Sequence, residues 1–173
     1  MWTRLTRILK HRWLRDDAAQ RAIPPALLEK LAEQVAHSEA SHSGDIRIYV
    51  EAGLPMNYLW QPASTAHIAR ERALAMFGKL RVWDTENNNG VLIYLLLAEH
   101  RIEIVADRGL NQRVNADTWP RLVTTMSTAF KAGDYASGLT QAVQEVTELL
   151  HQHFPLDGDQ ANPNELPNEP LLG

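Results

Sequence analysis

The sequence predicts an α/β fold with a small mixed sheet covered by helices on both faces, and three segments carry that prediction. Asp45 to Glu51 (DIRIYVE) alternates, with Ile46, Ile48 and Val50 on one side, the period of a half-buried strand. Gly90 opens VLIYLLLA, apolar on both sides, as a central strand between two helical layers must be. Glu99-His100 then turns the chain tightly into RIEIVAD, a strand that runs back against its predecessor. A helical pattern separates the first two strands, so a right-handed crossover makes 45–51 and 90–98 parallel, with 101–107 antiparallel beside them.

Taken in order, residues 1–15 carry Arg4, Arg7, Lys10, Arg12 and Arg15 without an acid, while Trp2, Leu5, Leu9 and Trp13 recur at helical spacing. This basic amphipathic helix, within an N-terminal unit of residues 1–22, fits two uses. It docks on its own domain or a second subunit, or it lies on an anionic membrane with tryptophans at headgroup level and arginines on the phosphates.

Pro24 and Pro25 suit a helix start, and Leu27, Leu28, Leu31 and Val35 form its apolar stripe before Gly44 stops it. Gly53 to Ser64, with Pro55 and Pro62, reads as a loop. Its Met56, Tyr58, Leu59 and Trp60 either cover the core or meet a partner or lipid. Thr65 is expected to cap a helix through Lys79 with Ala69, Ala73, Met76, Phe77 and Leu80 inward. After the polar turn WDTENNNG and the two later strands come helices near 117–131 and 134–153. They close a domain of residues 23–154. From Pro155 on, PLDGDQANPNELPNEPLLG has prolines and acids but no base, so residues 155–173 read as a disordered acidic tail. Folding of its acids onto the basic N-terminus is the competing use.

A chain of 173 residues can bury one core without staples. The formal charge of -4 gives no support to nucleic-acid binding. The absence of cysteine excludes disulfides, thiolate metal sites and cysteine nucleophiles, and it fits a reducing cytosol. The longest apolar stretch, Val91 to Ala98, is far short of the roughly 20 residues that span a bilayer. The first residues lack an unbroken apolar core and a cleavage site, so no export signal is expected. The expected location is the cytoplasm, with the N-terminal helix as a membrane-surface contact.

Strand direction brings scattered polar residues together. The starts of 45–51 and 90–98 and the end of 101–107 share one sheet edge, so Asp45, Asn88, Asn89 and Asp107 converge there. Glu39, Asp84, Thr85 and Glu86 arrive through segments that lead into those strands, with Asp117 opening the next helix. Carboxylates, amides and a hydroxyl are the ligands hard cations prefer, calcium first and magnesium second. Grouped acids also raise one another's pKa, one route to a general acid or base. Against this stands the ordinary use of Asp and Asn in turns, which cap helices and bond backbone. The seven histidines form no zinc motif and read as solvated or capping groups. No phosphate loop, dinucleotide motif or nucleophile elbow is present.

These segments resemble the TPM domain family, known from photosystem II repair proteins and many bacterial proteins. The resemblance covers roughly residues 24–154 and rests on AHSEASHSGDIRIYVE, RERALAMFGKLRVWDTENNNGVLIYLLLAEHRIEIVADRGL, the Trp119 helix and FKAGDYASGL. The chain looks like the short stand-alone bacterial form, without the signal peptide and C-terminal membrane helix many members carry. The family implies a three-layer α/β/α sandwich. Plant members have been assigned acid phosphatase activity and some bacterial members bind calcium. Glu39, Asp45, Asp84, Thr85, Asn89 and Asp107 fall in its recurring motif segments, with Asp45 standing where many relatives have Glu.

The expected function is therefore an accessory module that binds a divalent cation at the acidic edge and an unidentified protein partner. The alternative is a metal-assisted phosphomonoesterase, for which Arg108 is the one obvious phosphate clamp in these motifs. A further reading makes the N-terminal helix the functional element.

Overall fold

Alternation along three strands gives the sheet two apolar faces, and each face has its own core. The computed structural model describes residues 2–14, 17–156, 162 and 164–173. In chain order the elements are α1 (Trp2–Arg12), α2 (Ala18–Ala22), α3 (Pro25–Glu39), β1 (Ile46–Glu51), α4 (Met56–Leu59), α5 (Thr65–Lys79), β2 (Val91–Leu96), β3 (Arg101–Ala106), α6 (Arg108–Asn111), α7 (Thr118–Lys131), α8 (Tyr135–His153) and β4 (Leu171–Leu172).

The sheet order is β3-β2-β1-β4. β1 and β2 are parallel with Ile46 opposite Val91, and β3 runs antiparallel with Ala106 opposite Val91. A 3-10 turn, Leu97–Glu99, and His100 in the left-handed region (φ 48°) make the reversal into β3. These strands and their directions are those the alternation predicts.

On one face Ile46, Ile48, Val50, Val91 and Ile93 pack against Leu31 and Val35 of α3, Phe130 of α7 and Val143 of α8. On the other, Tyr94, Leu96 and Val105 pack against Ile68, Ala69, Ala73 and Met76 of α5. Helix, sheet and helix make three layers, an α/β/α sandwich. Each large side chain buried in this way contributes about 1.5–3 kcal/mol. Gly138 lets α8 close on α7, since a Cβ there would lie 2.7 Å from the Phe130 ring.

β1 is buried on both faces rather than one. Its polar side is covered because each polar group there finds a partner. Arg72 of α5 grips Glu51, and the Arg47 guanidinium donates to the carbonyls of Pro167 and Glu169. The segment expected to be a disordered acidic tail, 155–173, is accordingly laid on the domain over its described residues, 155–156, 162 and 164–173. Leu171 and Leu172 pair parallel with Tyr49 and Val50, and Leu166 enters the second core. Three leucines among the prolines supply the apolar area that the acidic composition obscured.

The α5 cap is Ser64, whose hydroxyl accepts the His67 N–H, rather than Thr65. The 53–64 segment contains the short α4. It buries Leu54 and Leu59 over the core and leaves Met56 and Trp60 exposed.

The basic N-terminal helix docks on its own domain through the side that carries Arg7, Ile8 and His11, with Ile8 against the second core. Arg7 donates to the carbonyls of Leu59, Gln61 and Ala63, and His11 Nδ1 accepts the Leu54 N–H. Lys10 and the other His11 nitrogen meet Glu99, each at 2.9 Å. Its apolar stripe points outward, with Leu5 51%, Leu9 57% and Trp13 86% exposed. Among the described residues no helix is long and apolar enough to cross a membrane.

Candidate functional site

The three strand ends lie side by side at one edge, as their directions require. The Val91 N–H donates to the Asp45 carbonyl and the Asp107 N–H to the Gly90 carbonyl, each at 2.9 Å. The end of α3 delivers Glu39, whose Oε1 accepts the Ile46 N–H at 3.0 Å. The turn before β2 is held by Thr85, whose hydroxyl accepts the Asn89 N–H at 3.1 Å. Asn89 Nδ2 reaches Ser43 Oγ at 3.2 Å, linking this turn to the α3–β1 corner. Asn88 takes a left-handed φ of 51° that Asn tolerates, and its side chain accepts from Arg108 Nε.

Five of the six residues singled out by the sequence are buried, and four of them share one feature: Glu39 (4% exposed), Asp45 (0%), Asn89 (0%) and Asp107 (9%). Each satisfies one polar atom and leaves one oxygen bare. Glu39 Oε2, Asp45 Oδ2, Asn89 Oδ1 and Asp107 Oδ2 are buried without a hydrogen-bond partner. An unmet buried oxygen costs roughly 1–3 kcal/mol, more when charged, so four at one edge need an explanation. Burial pushes the Glu39 carboxyl up to about 7, with Asp45 nearby adding to the shift. Burial likewise raises Asp45 to about 6, and the Glu165 carboxylate adds to it.

The other two candidates sit differently. Thr85 is buried but its hydroxyl is spent on the turn, the ordinary structural role. Asp84 is exposed and stands 4.0 Å from Arg81. Asp117 is exposed at the start of α7 and caps nothing with its side chain. Among the described residues no three His, Asp or Glu side chains come close enough to hold a metal ion between them. A cation here would draw on amide and main-chain oxygens as well, donors that calcium accepts.

Of the histidines, His42 is neither solvated nor a cap. It is fully buried, its Nε2 is 2.7 Å from Ser38 Oγ, and burial lowers its pKa to about 4.

The TPM domain pattern matches residues 17–149. The chain belongs to the TPM domain family. Among solved structures it is similar to the BA42 protein of the psychrophilic bacterium Bizionia argentinensis, determined by NMR. The two share 25% identity and a TM-score of 0.73, over 87% of this chain and 95% of that one. No curated protein matches the chain.

The acidic edge lies within the TPM domain; one group that bears on it, and one network at the opposite end of β1, are not legible in the sequence. The first is the C-terminal segment, beyond the TPM match, which places Glu165 and Leu166 N–H groups on Asp45 Oδ1 at 3.1 and 3.3 Å. The only sequence signal is the leucine spacing in ELPNEPLLG. The second is a buried charged network on the α5 face. Arg72 binds both Glu51 oxygens, and the Tyr94 hydroxyl donates to Glu51 Oε2 at 2.6 Å. Glu51 lies 21 residues from Arg72 and 43 from Tyr94, so spacing offered no hint.

Proposed function

We propose that this TPM domain protein is an accessory module that binds a divalent cation, calcium before magnesium, at the edge formed by Glu39, Asp45, Asn89 and Asp107. The observation that carries the reading is the set of four bare, buried oxygens. Two of them belong to carboxylates whose ionised form is disfavoured by burial and by a neighbouring acid, Asp45 for Glu39 and Glu165 for Asp45. A cation supplies the missing partner and the missing positive charge at once. Glu39 is still partly protonated near neutrality and Asp45 below about pH 6, so binding displaces protons in that range and strengthens as pH rises. The test is a calcium titration followed by amide NMR. Shifts centred on residues 39–46, 85–91 and 106–108 support the site, and no shift at millimolar calcium overturns it.

A phosphomonoesterase draws less support. Arg108, the residue offered as a phosphate clamp, has its Nε on Asn88 and its main chain on Asp107.

A second reading has its own observation: α1 docks by its Arg7, Ile8 and His11 side, while Leu5, Leu9 and, just beyond its end, Trp13 face solvent, with Arg12 exposed beside them. An apolar stripe with a basic flank suits an anionic lipid surface. Flotation with phosphatidylserine-containing vesicles tests it. Retention by wild type and loss in a Leu5→Ser, Leu9→Ser, Trp13→Ser variant is expected, and equal behaviour of the two sinks it.

A further inference from the structure

Exposed apolar side chains are spread unevenly along the strand axis. Among the described residues seven large ones are exposed: Leu5, Leu9, Trp13, Met56, Trp60, Leu74 and Trp83. All but the last two belong to α1, to α4 or to the residue just past either helix. Both helices sit where β1 and β2 end, opposite the acidic edge. α4 follows β1 through residues 52–55. α1 is seated on the same end: His11 Nδ1 accepts the Leu54 N–H at 3.0 Å, and Lys10 and His11 meet Glu99 just past β2. Gly53 permits this approach, since a Cβ there would lie 3.1 Å from the His11 carbonyl oxygen. Arg7 ties α1 to the α4 segment through the carbonyls of Leu59, Gln61 and Ala63. Trp13 lines a cavity of about 500 Å³ with Leu97, Ala98 and His100, which sets it at the β2–β3 reversal.

Charge follows the same axis. α1 carries Arg4, Arg7, Lys10 and Arg12 without an acid. Of the acids near it, Glu99 is matched by Lys10 and His11, Asp17 by Arg21, and Asp134 accepts the Ser137 N–H at the start of α8. Asp45 and Asp107 lie at the far ends of the strands, with Glu165 on Asp45 and on the Glu86 N–H. β1 has six residues, so about 20 Å separates the two ends. That is about two screening lengths at physiological salt, so a negative surface under α1 attracts the near bases and is nearly blind to the distant acids.

We propose that the α1–α4 end of the domain is a two-helix membrane face: Met56 and Trp60 enter an anionic bilayer surface together with Leu5, Leu9 and Trp13, and the acidic edge points away from the lipid into water. This rests on the reading of α1 as a lipid contact, and it adds α4 and an orientation to it. Leucines, methionine and two tryptophans beside bases are the side chains that settle at the headgroup boundary. One short helix in the interface leaves the domain free to roll about the helix axis. A second point of insertion stops the roll, and the Arg7 bonds make the two points one body. Trp83, next to Asp84 in the turn before β2, stays in water in this pose.

The experiment uses the full chain with phosphatidylserine-containing vesicles, read by flotation and by hydroxyl-radical oxidation of side chains. Wild type is expected to float, with oxidation of Trp13, Met56 and Trp60 suppressed and that of Trp83 unchanged. The Met56→Ser, Trp60→Ser variant, altered only at exposed positions, is expected to bind these vesicles about tenfold more weakly with α1 intact, whereas Leu74→Ser on α5 binds as wild type does. Protection of Trp13 alone, with Met56 and Trp60 still oxidised and the double variant binding normally, overturns the two-helix face and leaves the α1 reading standing. Protection of Trp83 on vesicles overturns the orientation. Protection of Met56 and Trp60 that grows with protein concentration in the absence of vesicles marks a contact between copies of the chain and overturns the lipid assignment. A wild type that does not float overturns both readings.

Discussion

Glu39 Oε1 accepts the Ile46 N–H at 3.0 Å across seven residues, so one carboxylate oxygen closes the corner between α3 and β1 while the other stays bare. The hydrogen bond favours the ionised acid and burial disfavours it, and burial wins, lifting the pKa to about 7. The folded protein therefore holds a proton on Glu39 that the unfolded chain releases near the ordinary glutamate value of 4.5. Stability from this group is complete below that value and is lost as pH rises through about 7. Asp45 acts with the same sign between 3.8 and about 6. His42, buried neutral, acts oppositely: its contribution is lost as pH falls from 6.5 toward about 4. In chelator, wild type is expected to lose about 1–2 kcal/mol, roughly 2–6 °C in Tm, between about pH 5 and pH 8. Glu39→Gln is expected to lose visibly less, and parallel Tm curves for the two proteins would count against the raised Glu39 pKa.

The turn that carries Thr85 and Asn89 depends on a close backbone approach at Gly90. A Cβ there would stand 2.0 Å from the Val82 carbonyl oxygen, a rigid atom that cannot step aside. Gly90→Ala is expected to cost 3 kcal/mol or more, on the order of the largest single-site losses, or to prevent folding. Gly78 is the control. It lies near the end of α5 with open space around its position, so Gly78→Ala is expected to stabilise by about 0.5–1 kcal/mol. Denaturant midpoints for the two alanine variants should move in opposite directions.

Strand periodicity made the sheet legible because one-sided and two-sided burial leave different sequence patterns. DIRIYVE, VLIYLLLA and RIEIVAD also fix which ends share an edge, which places Asp45, Asn89 and Asp107 together, with Glu39 brought in by the helix that leads into the first strand. What stayed hidden depends on partners distant in sequence. Arg47 and Glu51 look like the wet side of β1, and only the tail and Arg72 reveal that they are covered. Composition misread residues 164–173, because acids and prolines dominate the count while Leu166, Leu171 and Leu172 make the contacts. The α1 stripe was visible, but its docking by Arg7 was not, since the acceptors are main-chain carbonyls that carry no residue signature.

Glu51 and Arg72 form a bidentate pair with side chains 6% and 15% exposed, and Tyr94 donates to the same carboxylate. Removing one partner strands the other charge in a covered site, which typically costs 3–5 kcal/mol. Glu51→Ala is expected to fall in that range, whereas Tyr94→Phe, which loses one charge-assisted hydrogen bond, is expected to cost about 1.5–3 kcal/mol. The Glu51→Ala, Tyr94→Phe pair should cost much less than the sum, because both remove the same bond. Additive losses in urea unfolding would show that the Tyr94 hydroxyl and Glu51 do not act as a unit.

The anchor of α1 is one guanidinium on three carbonyls. Arg7 Nη2 reaches Leu59 O at 2.6 Å and Gln61 O at 2.8 Å, while Nη1 reaches Ala63 O at 3.0 Å. These acceptors fan around the α4 end of the 53–64 segment, a geometry that suits a planar fork and not a single ammonium. Arg7→Ala is expected to cost about 2–3 kcal/mol, through undocking of α1 and the three carbonyls it leaves uncapped. Hydrogen exchange should then accelerate across residues 2–12 and 54–63 together, while the strands keep their protection. Arg7→Lys retains the charge but not the fork, so it is expected to recover less than half of the loss. A lysine variant as stable as wild type, with α1 still protected, would mean that charge alone holds the helix and that the fork is incidental.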